Sequence, residues 1–276
     1  MSRTTILLPL FITLALSGPD PASAGPHKLL NLCTIHYPSD TTIGWECRTL
    51  KRGETAEKLF GDQWEAILRF NRVDRRHVYP GVSFKVPENI SEIEGFTPLP
   101  DFYPDAAEEE KFILINLSEQ FLGAYEYGYL TFSFPVASGE RRNRTPTGDF
   151  RVTAFNRRHQ SSLYKIEKTT IPYPMHYGLR FYISPYGVAY WIHGRDVPGY
   201  PASHGCVGLY DEEMQKRYYR HPVFPLLTDA RKLYEWVVGE LPDPGSFTPM
   251  KEGPRVRIIG EEQEWRKPDA RRTRQD

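Results

Sequence analysis

The sequence predicts a mainly-β protein with a few helices, preceded by a small α+β unit of strand-helix-helix-strand order. Three observations predict it. From Lys111 onward, short apolar runs alternate with turn residues. Between 44 and 87 the pattern passes from strand to helical periodicity and back. A helical stripe of Ala230, Leu233, Tyr234 and Val237 follows late in the chain.

The first residues read as a targeting segment. Arg3 supplies positive charge, Ile6 to Leu16 is apolar, and Ala22-Ser23-Ala24 offers small residues for cleavage. Residues 1–24 are therefore expected to be a secretory signal peptide. The apolar run is shorter than the roughly 20 residues a spanning helix needs. No transmembrane segment is expected in the mature chain, and the expected location is the periplasm or cell envelope.

The small unit occupies 44–88. Ile43 to Leu50 reads as a strand, and Gly53-Glu54-Thr55 leads into a short helix closed by Gly61. Asp62 with Glu65 three residues on reads as a capping box for a second helix, carrying Trp64, Ile67 and Leu68 on one face and ending at Asn71. Pro80-Gly81 turns the chain into a strand from Val82 to Val86. Residues 89–110, with Pro98, Pro100, Pro104 and many acids, read as an extended, partly ordered linker whose Tyr and Phe residues are expected to dock onto the flanking units.

The larger domain is expected over 111–260. Phe112 to Ile115, Phe121 to Tyr125, Tyr129 to Val136, Asp149 to Ala154, Val188 to His193 and Val256 to Ile259 read as strands. On the fifth of these, Val188, Tyr190 and Ile192 share one face, and Ala189, Trp191 and His193 the other. Thr228 is placed to cap a helix ending at Gly239. The tail 261–276 is rich in both signs of charge and reads as solvated.

Thirty-five basic and 35 acidic residues balance. That excludes the basic excess of an electrostatic nucleic-acid binder. There are three cysteines. Cys33 and Cys47 are 14 residues apart, and pairing them would stabilise by up to ~3 kcal/mol in the chain-entropy picture. Cys206 is then left over, and its neighbours suggest a use for it.

Those neighbours are Ser203-His204-Gly205-Cys206-Val207, preceded by Ile192-His193-Gly194. The turn-rich Pro198-Gly199-Tyr200-Pro201-Ala202 between them can fold back and bring Cys206 near His193. A free thiol has a pKa of roughly 8.5. An imidazole that takes its proton, and then stabilises the thiolate, makes it a nucleophile. The Gly194 carbonyl is placed to orient the ring, as a carboxylate does in other triads. Gly194 is expected to leave room for a substrate. The amides of Gly205 and Cys206 are candidate donors to an oxyanion. A zinc site on His193, His204 and Cys206 is the rival use of the same residues. No fourth ligand stands at metal spacing, so neither metal nor cofactor is expected.

The pairing of His193-Gly194 with Ser203-His204-Gly205-Cys206 resembles the motif of the YkuD-type L,D-transpeptidases, supported by Thr145-Pro146-Thr147-Gly148. The resemblance covers about 111 to 260. It implies a β-sandwich and acyl transfer on peptidoglycan stem peptides through a Cys206 thioester, to an amine of another stem, a protein, an amino acid, or water. Cys206 is the implied nucleophile and His193 the base. His204, Ser203, Gly205 and Gly194 support them, and Tyr190 and Arg195 are substrate-contact candidates. The family usually carries Arg or Asn two residues after the cysteine; here Gly208 stands there. Lys51-Arg52-Gly53-Glu54-Thr55, Asn71 and Pro80-Gly81 through Val86-Pro87 make the small unit resemble a LysM domain. That implies binding to glycan strands. A hydrolytic relative of the same fold, such as an L,D-carboxypeptidase, and a wall-binding protein with a decayed site are the alternatives.

Overall fold

Cys33 and Cys47 are joined by a disulfide in the computed structural model, which describes residues 30–261. The signal peptide expected at 1–24, and the tail beyond Glu261, lie outside those residues. The disulfide ties the leading segment to β1 (Trp45–Thr49). Thr55 caps α1 (Ala56–Phe60) by accepting from the Lys58 N–H at 3.3 Å, and Gly61 ends it at φ +55°. A 3₁₀ turn over Gly61–Gln63 then carries the chain past Asp62 before α2 (Trp64–Phe70) begins. The expected capping box therefore does not form, and Glu65 instead pairs with Arg69 one turn on, at 2.8 Å. β2 (Ser83–Pro87) closes the unit antiparallel to β1, with Cys47 opposite Lys85.

The larger region opens with β3 (Phe112–Asn116), β4 (Phe121–Glu126) and β5 (Tyr129–Pro135). β6 (Gly148–Arg151) and β7 (Ala154–Asn156) follow. Sequence pattern alone reads these two as one strand. The chain switches sheets between them: the Val152 N–H donates to Pro254 O and the next amide, Thr153, to Arg180 O. A hairpin of β8 (Gln160–Lys165) and β9 (Pro172–Pro174) precedes β10 (Gly178–Ile183), β11 (Ala189–Arg195) and β12 (Val207–Tyr210). Then come α3 (Glu212–Tyr219), α4 (Asp229–Val238), β13 (Thr248–Pro249) and β14 (Arg255–Ile259). Thr228 precedes α4, but its hydroxyl makes no capping bond.

Two five-stranded sheets, ordered β5-β4-β3-β14-β6 and β12-β11-β10-β7-β13, face each other. Ile113, Ile115, Leu122 and Val256 from the first interdigitate with Phe155, Leu179, Ile192 and Val207 from the second, and Leu233 and Tyr234 of α4 join them. β3 is apolar at every position from Phe112 to Ile115 because both its faces are covered: Phe112 and Leu114 pack in a separate cluster with Leu99 and Tyr125.

The stretch 89–110 packs onto both sides: Ile90 and Ile93 join the core of the small unit, and Leu99, Tyr103 and Ala106 join the cluster of Phe112 and Leu114. Phe96 stands edge-on to Phe70 of α2 at 5.3 Å and to Phe121 of β4 at 5.9 Å. Its apolar residues fill the seam between the small unit and the β-sheets. Four arginines after the start of α2 complete the join. Arg69 holds Asp229 with two 2.8 Å bonds. Arg72, fully buried, reaches Asp40 and Glu119. Arg75 grips Glu212, and Arg76 meets Asp196 at 3.2 Å. The small unit is thus a fixed part of one body.

Candidate active site

His193 lies in β11 and Cys206 directly precedes β12, which runs parallel to β11. Ile192 pairs with Val207 and His193 with Gly208. Alternation along β11 turns Ala189, Trp191, His193 and Arg195 toward a cavity of about 890 Å³, and Ile192 into the core. Cys206 lines the same cavity, as do Ser203, His204 and the β8–β9 hairpin. The side chains of His193 and Cys206 therefore share one cleft, and Arg76 of the small unit forms part of its wall.

His193 Nδ1 lies 2.8 Å from Gly194 O. A carbonyl can only accept, so Nδ1 carries the proton and Nε2 keeps its lone pair. The ring is 3% exposed. Burial, aided by the nearby Arg195 cation, pushes its pKa down to about 3, against the opposing pull of the Gly194 bond. Cys206 is open to the cavity on one side but crowded by protein on the others. Burial raises its thiol pKa, with the Trp191 backbone and Arg195 pulling the other way. The resting pair is therefore thiol and neutral imidazole.

The loop before Cys206 is held by short-range bonds. Ser203 Oγ donates to Cys206 O and accepts from the Gly205 N–H at 3.0 Å. The Gly205 amide is thus already engaged and is not a free oxyanion donor, contrary to the expectation from sequence. Thr145 Oγ1 donates to Gly205 O at 2.9 Å and accepts from Gly139 N–H. Sequence reasoning quotes Thr145 only as part of a turn motif and misses this brace, because its partner lies 60 residues away. Gly205 has φ +109°, and a Cβ there would sit 2.6 Å from Tyr190 Cε1.

Tyr190 therefore stands against the loop and packs, half-buried, on the edge of the core cluster. Its face of β11 is the Ile192 face, and it stays half-exposed near Cys206, whose charge adds to the burial that raises the Tyr190 phenol pKa. Gly194 also has a different reason for being glycine than space for a substrate. A Cβ would lie 2.3 Å from Asp211 Oδ2, a buried carboxylate whose pKa burial raises to about 7. His204 is exposed and stacks on Tyr164 of the hairpin at 4.2 Å. The hairpin's place over the loop is not readable from the chain, since β8 is largely exposed and lacks a buried face.

Arg195 lines the cavity, donating to Asp196 O at 3.0 Å and Ala202 O at 3.1 Å. Among the described residues, the one group of metal-capable side chains with ligand atoms within 4.8 Å of one another is Asp74, His77 and Asp196. Asp74 is occupied by His77, the Val197 N–H and Gln215, so this group belongs to the join of the small unit.

The L,D-transpeptidase catalytic domain (YkuD) family matches residues 110–258. No curated protein matches the chain. Among solved structures, an L,D-transpeptidase from Stackebrandtia nassauensis is 22% identical, covering 56% of this chain and 58% of its own, with a TM-score of 0.37. L,D-transpeptidase 1 of Mycobacterium tuberculosis is 16% identical over 54% of this chain and 62% of its own, with a TM-score of 0.35. Residues 123–326 of an L,D-transpeptidase from Xylanimonas cellulosilytica are 20% identical over 77% of this chain and 98% of that one, with a TM-score of 0.43. The chain spans about three fifths of the length of the first two.

Proposed function

The chain belongs to the family of L,D-transpeptidase catalytic domains, and from that premise we propose that it is an exported peptidoglycan L,D-transpeptidase with Cys206 as nucleophile and His193 as base. The observation that carries the reading is the free thiol in one cavity with an imidazole whose Nδ1 is committed to a carbonyl.

The neutral resting pair dictates the order of events. The substrate amide is the one between the third, L-centred residue of a stem peptide and its D-Ala. As Cys206 Sγ bonds to its carbonyl carbon, the thiol proton moves to His193 Nε2. The Cys206 N–H remains to meet the oxyanion, since Gly205 serves Ser203. The C–N bond then breaks, and His193 returns its proton to the departing D-Ala amine. An acceptor amine attacks the thioester, gives a proton to His193, and the Cys206 sulfur leaves and is reprotonated. No cofactor enters this cycle. Peptide carboxylates and glycan strands are the partners the reading requires.

We further infer that the unit at 44–88 is a LysM-like glycan-binding domain. Its β1-α1-α2-β2 order, with antiparallel β1 and β2, supports this. Because the unit is bolted to the catalytic region, it would present a glycan in fixed register to the cavity instead of merely raising its local concentration.

The test is incubation with disaccharide-tetrapeptide and mass analysis of products, with Cys206→Ala as control. Cross-linked dimer supports the transpeptidase. Tripeptide alone identifies a hydrolase, and unchanged tetrapeptide overturns the enzyme reading.

A further inference from the structure

Gly208 and Arg195 occupy one another's space. A Cβ built on Gly208 would lie 1.8 Å from Arg195 Cδ and 1.9 Å from its Cγ. Those atoms belong to the middle of the side chain, so the arginine cannot step aside by moving only its tip. The stem of Arg195 therefore crosses β12 directly over Gly208, the pairing partner of His193.

The crossing delivers a guanidinium to the cavity that Cys206 and His193 line. Its hydrogen bonds go to two backbone carbonyls, Asp196 O and Ala202 O. Neither neutralises it. Among the described residues no carboxylate forms an ion pair with Arg195, and the neighbouring Asp196 carboxylate is engaged by Arg76 at 3.2 Å. Two carbonyl anchors leave a guanidinium with further N–H donors in a planar fork, the geometry that suits a carboxylate. Its field already acts on the site, disfavouring protonated His193 and favouring ionised Cys206.

We propose that Arg195 is the anion-recognising residue of the cavity, holding a carboxylate of the incoming peptide beside Cys206, and that Gly208 is glycine to let Arg195 cross. The choice of a peptide carboxylate rests on the function proposed above; the anion preference does not. The pair works as a unit across the parallel strands: β11 supplies the charge and β12 the gap. Any side chain at 208 evicts the arginine.

The test reads the cavity charge directly. Cys33 and Cys47 are bonded to each other, so Cys206 is the thiol open to alkylation. Its rates with anionic iodoacetate and neutral iodoacetamide are compared in the intact protein, each normalised to a small model thiol. The wild type is expected to favour iodoacetate about five- to tenfold, the effect of one unit charge acting across a partly screened site. Arg195→Gln and Gly208→Ala should both abolish that preference, and the double variant should lose no more than either alone. Arg217→Gln, outside the cavity lining, should keep it. Circular dichroism confirms that each variant is folded. A folded Arg195→Gln or Gly208→Ala protein with the wild-type ratio overturns the proposal.

A second arm uses tetrapeptide with free or amidated carboxylates. Arg195→Gln should raise KM for the free acid roughly tenfold and leave the amidated peptide unchanged. Equal loss on both peptides also overturns the proposal. If no peptide is turned over but the alkylation ratio depends on Arg195, the anion site stands and the transpeptidase reading falls.

Discussion

His193 Nδ1 and Gly194 O face each other across 2.8 Å, so the group that orients the imidazole is the backbone of the very next residue. A backbone orienter has no charge of its own to stabilise an imidazolium. This is one reason the buried ring stays neutral, and it sets up the first two predictions.

Replacing His193 by Gln should lower turnover of a tetrapeptide by about 10²- to 10⁴-fold, the usual range for losing a general base. In the wild type the ring pKa is about 3, so the rate should show no loss near pH 6.5 from this group. The folded value lies below the unfolded one. The folded protein thus binds fewer protons between about pH 3 and 6.5, and stability falls as pH drops through that window. Urea midpoints at pH 4 and pH 7 should differ less in His193→Gln than in the wild type.

Cys206 should be a slow thiol at rest. Burial lifts its pKa above the ordinary range, so iodoacetamide at pH 7 should modify it more slowly than a small model thiol. The rate should keep rising with pH beyond the point where the model thiol levels off. Fast alkylation at pH 7, saturating by pH 8, would contradict the neutral pair.

Asp211 packs against Gly194 with, among the described residues, no hydrogen bond to Oδ2 and with His176 Nδ1 3.9 Å away, and burial raises its pKa to about 7. The folded state therefore holds an extra proton between about pH 4 and 7, stability declines as pH rises through that range, and the deficit persists above it. Asp211→Asn keeps an acceptor for the Met214 N–H that starts α3. It should be more stable than wild type by about 2 kcal/mol at pH 8 and little different at pH 4. Thermal melts at the two pH values check this.

Arg72 is fully buried between Asp40 and Glu119, with the Tyr37 ring 4.1 Å from its guanidinium carbon. Arg72→Met should cost about 3–5 kcal/mol, because it removes the buried charge shared by two carboxylates and leaves Asp40 to Lys85 and Glu119 to Ser39. Lys should rescue little, since one ammonium cannot span both acids and the Glu119 carbonyl. Urea unfolding provides the measurement.

Much of the architecture is legible in the chain because it rests on local rules. Short apolar or alternating runs between turn residues mark β3, β4, β5, β11 and β14 to within one or two residues, and the Ala230–Val237 stripe marks α4. The errors share one origin, which is that a neighbour distant in sequence decides. Asp149 to Ala154 reads as one strand until Pro254 and Arg180 draw successive amides to opposite sheets. For residues 89–110 the chain suggests aromatic docking, but which rings meet, Phe96 with Phe70 and Phe121, only the tertiary structure shows. β12 and α3 carry few local signals and follow from what they pack against.

By itself the sequence determined which atoms the proposed chemistry would use: a leftover thiol, a histidine on one face of an alternating strand, and a carbonyl beside it. These depend on residue identity and on neighbours one or two positions away. Only the tertiary structure decided their state and setting. It removed water from both ionisable groups, engaged the Gly205 amide, and laid Arg195 across Gly208. Desolvation and side-chain crossing are properties of surfaces brought together from far along the chain, and no local pattern encodes them.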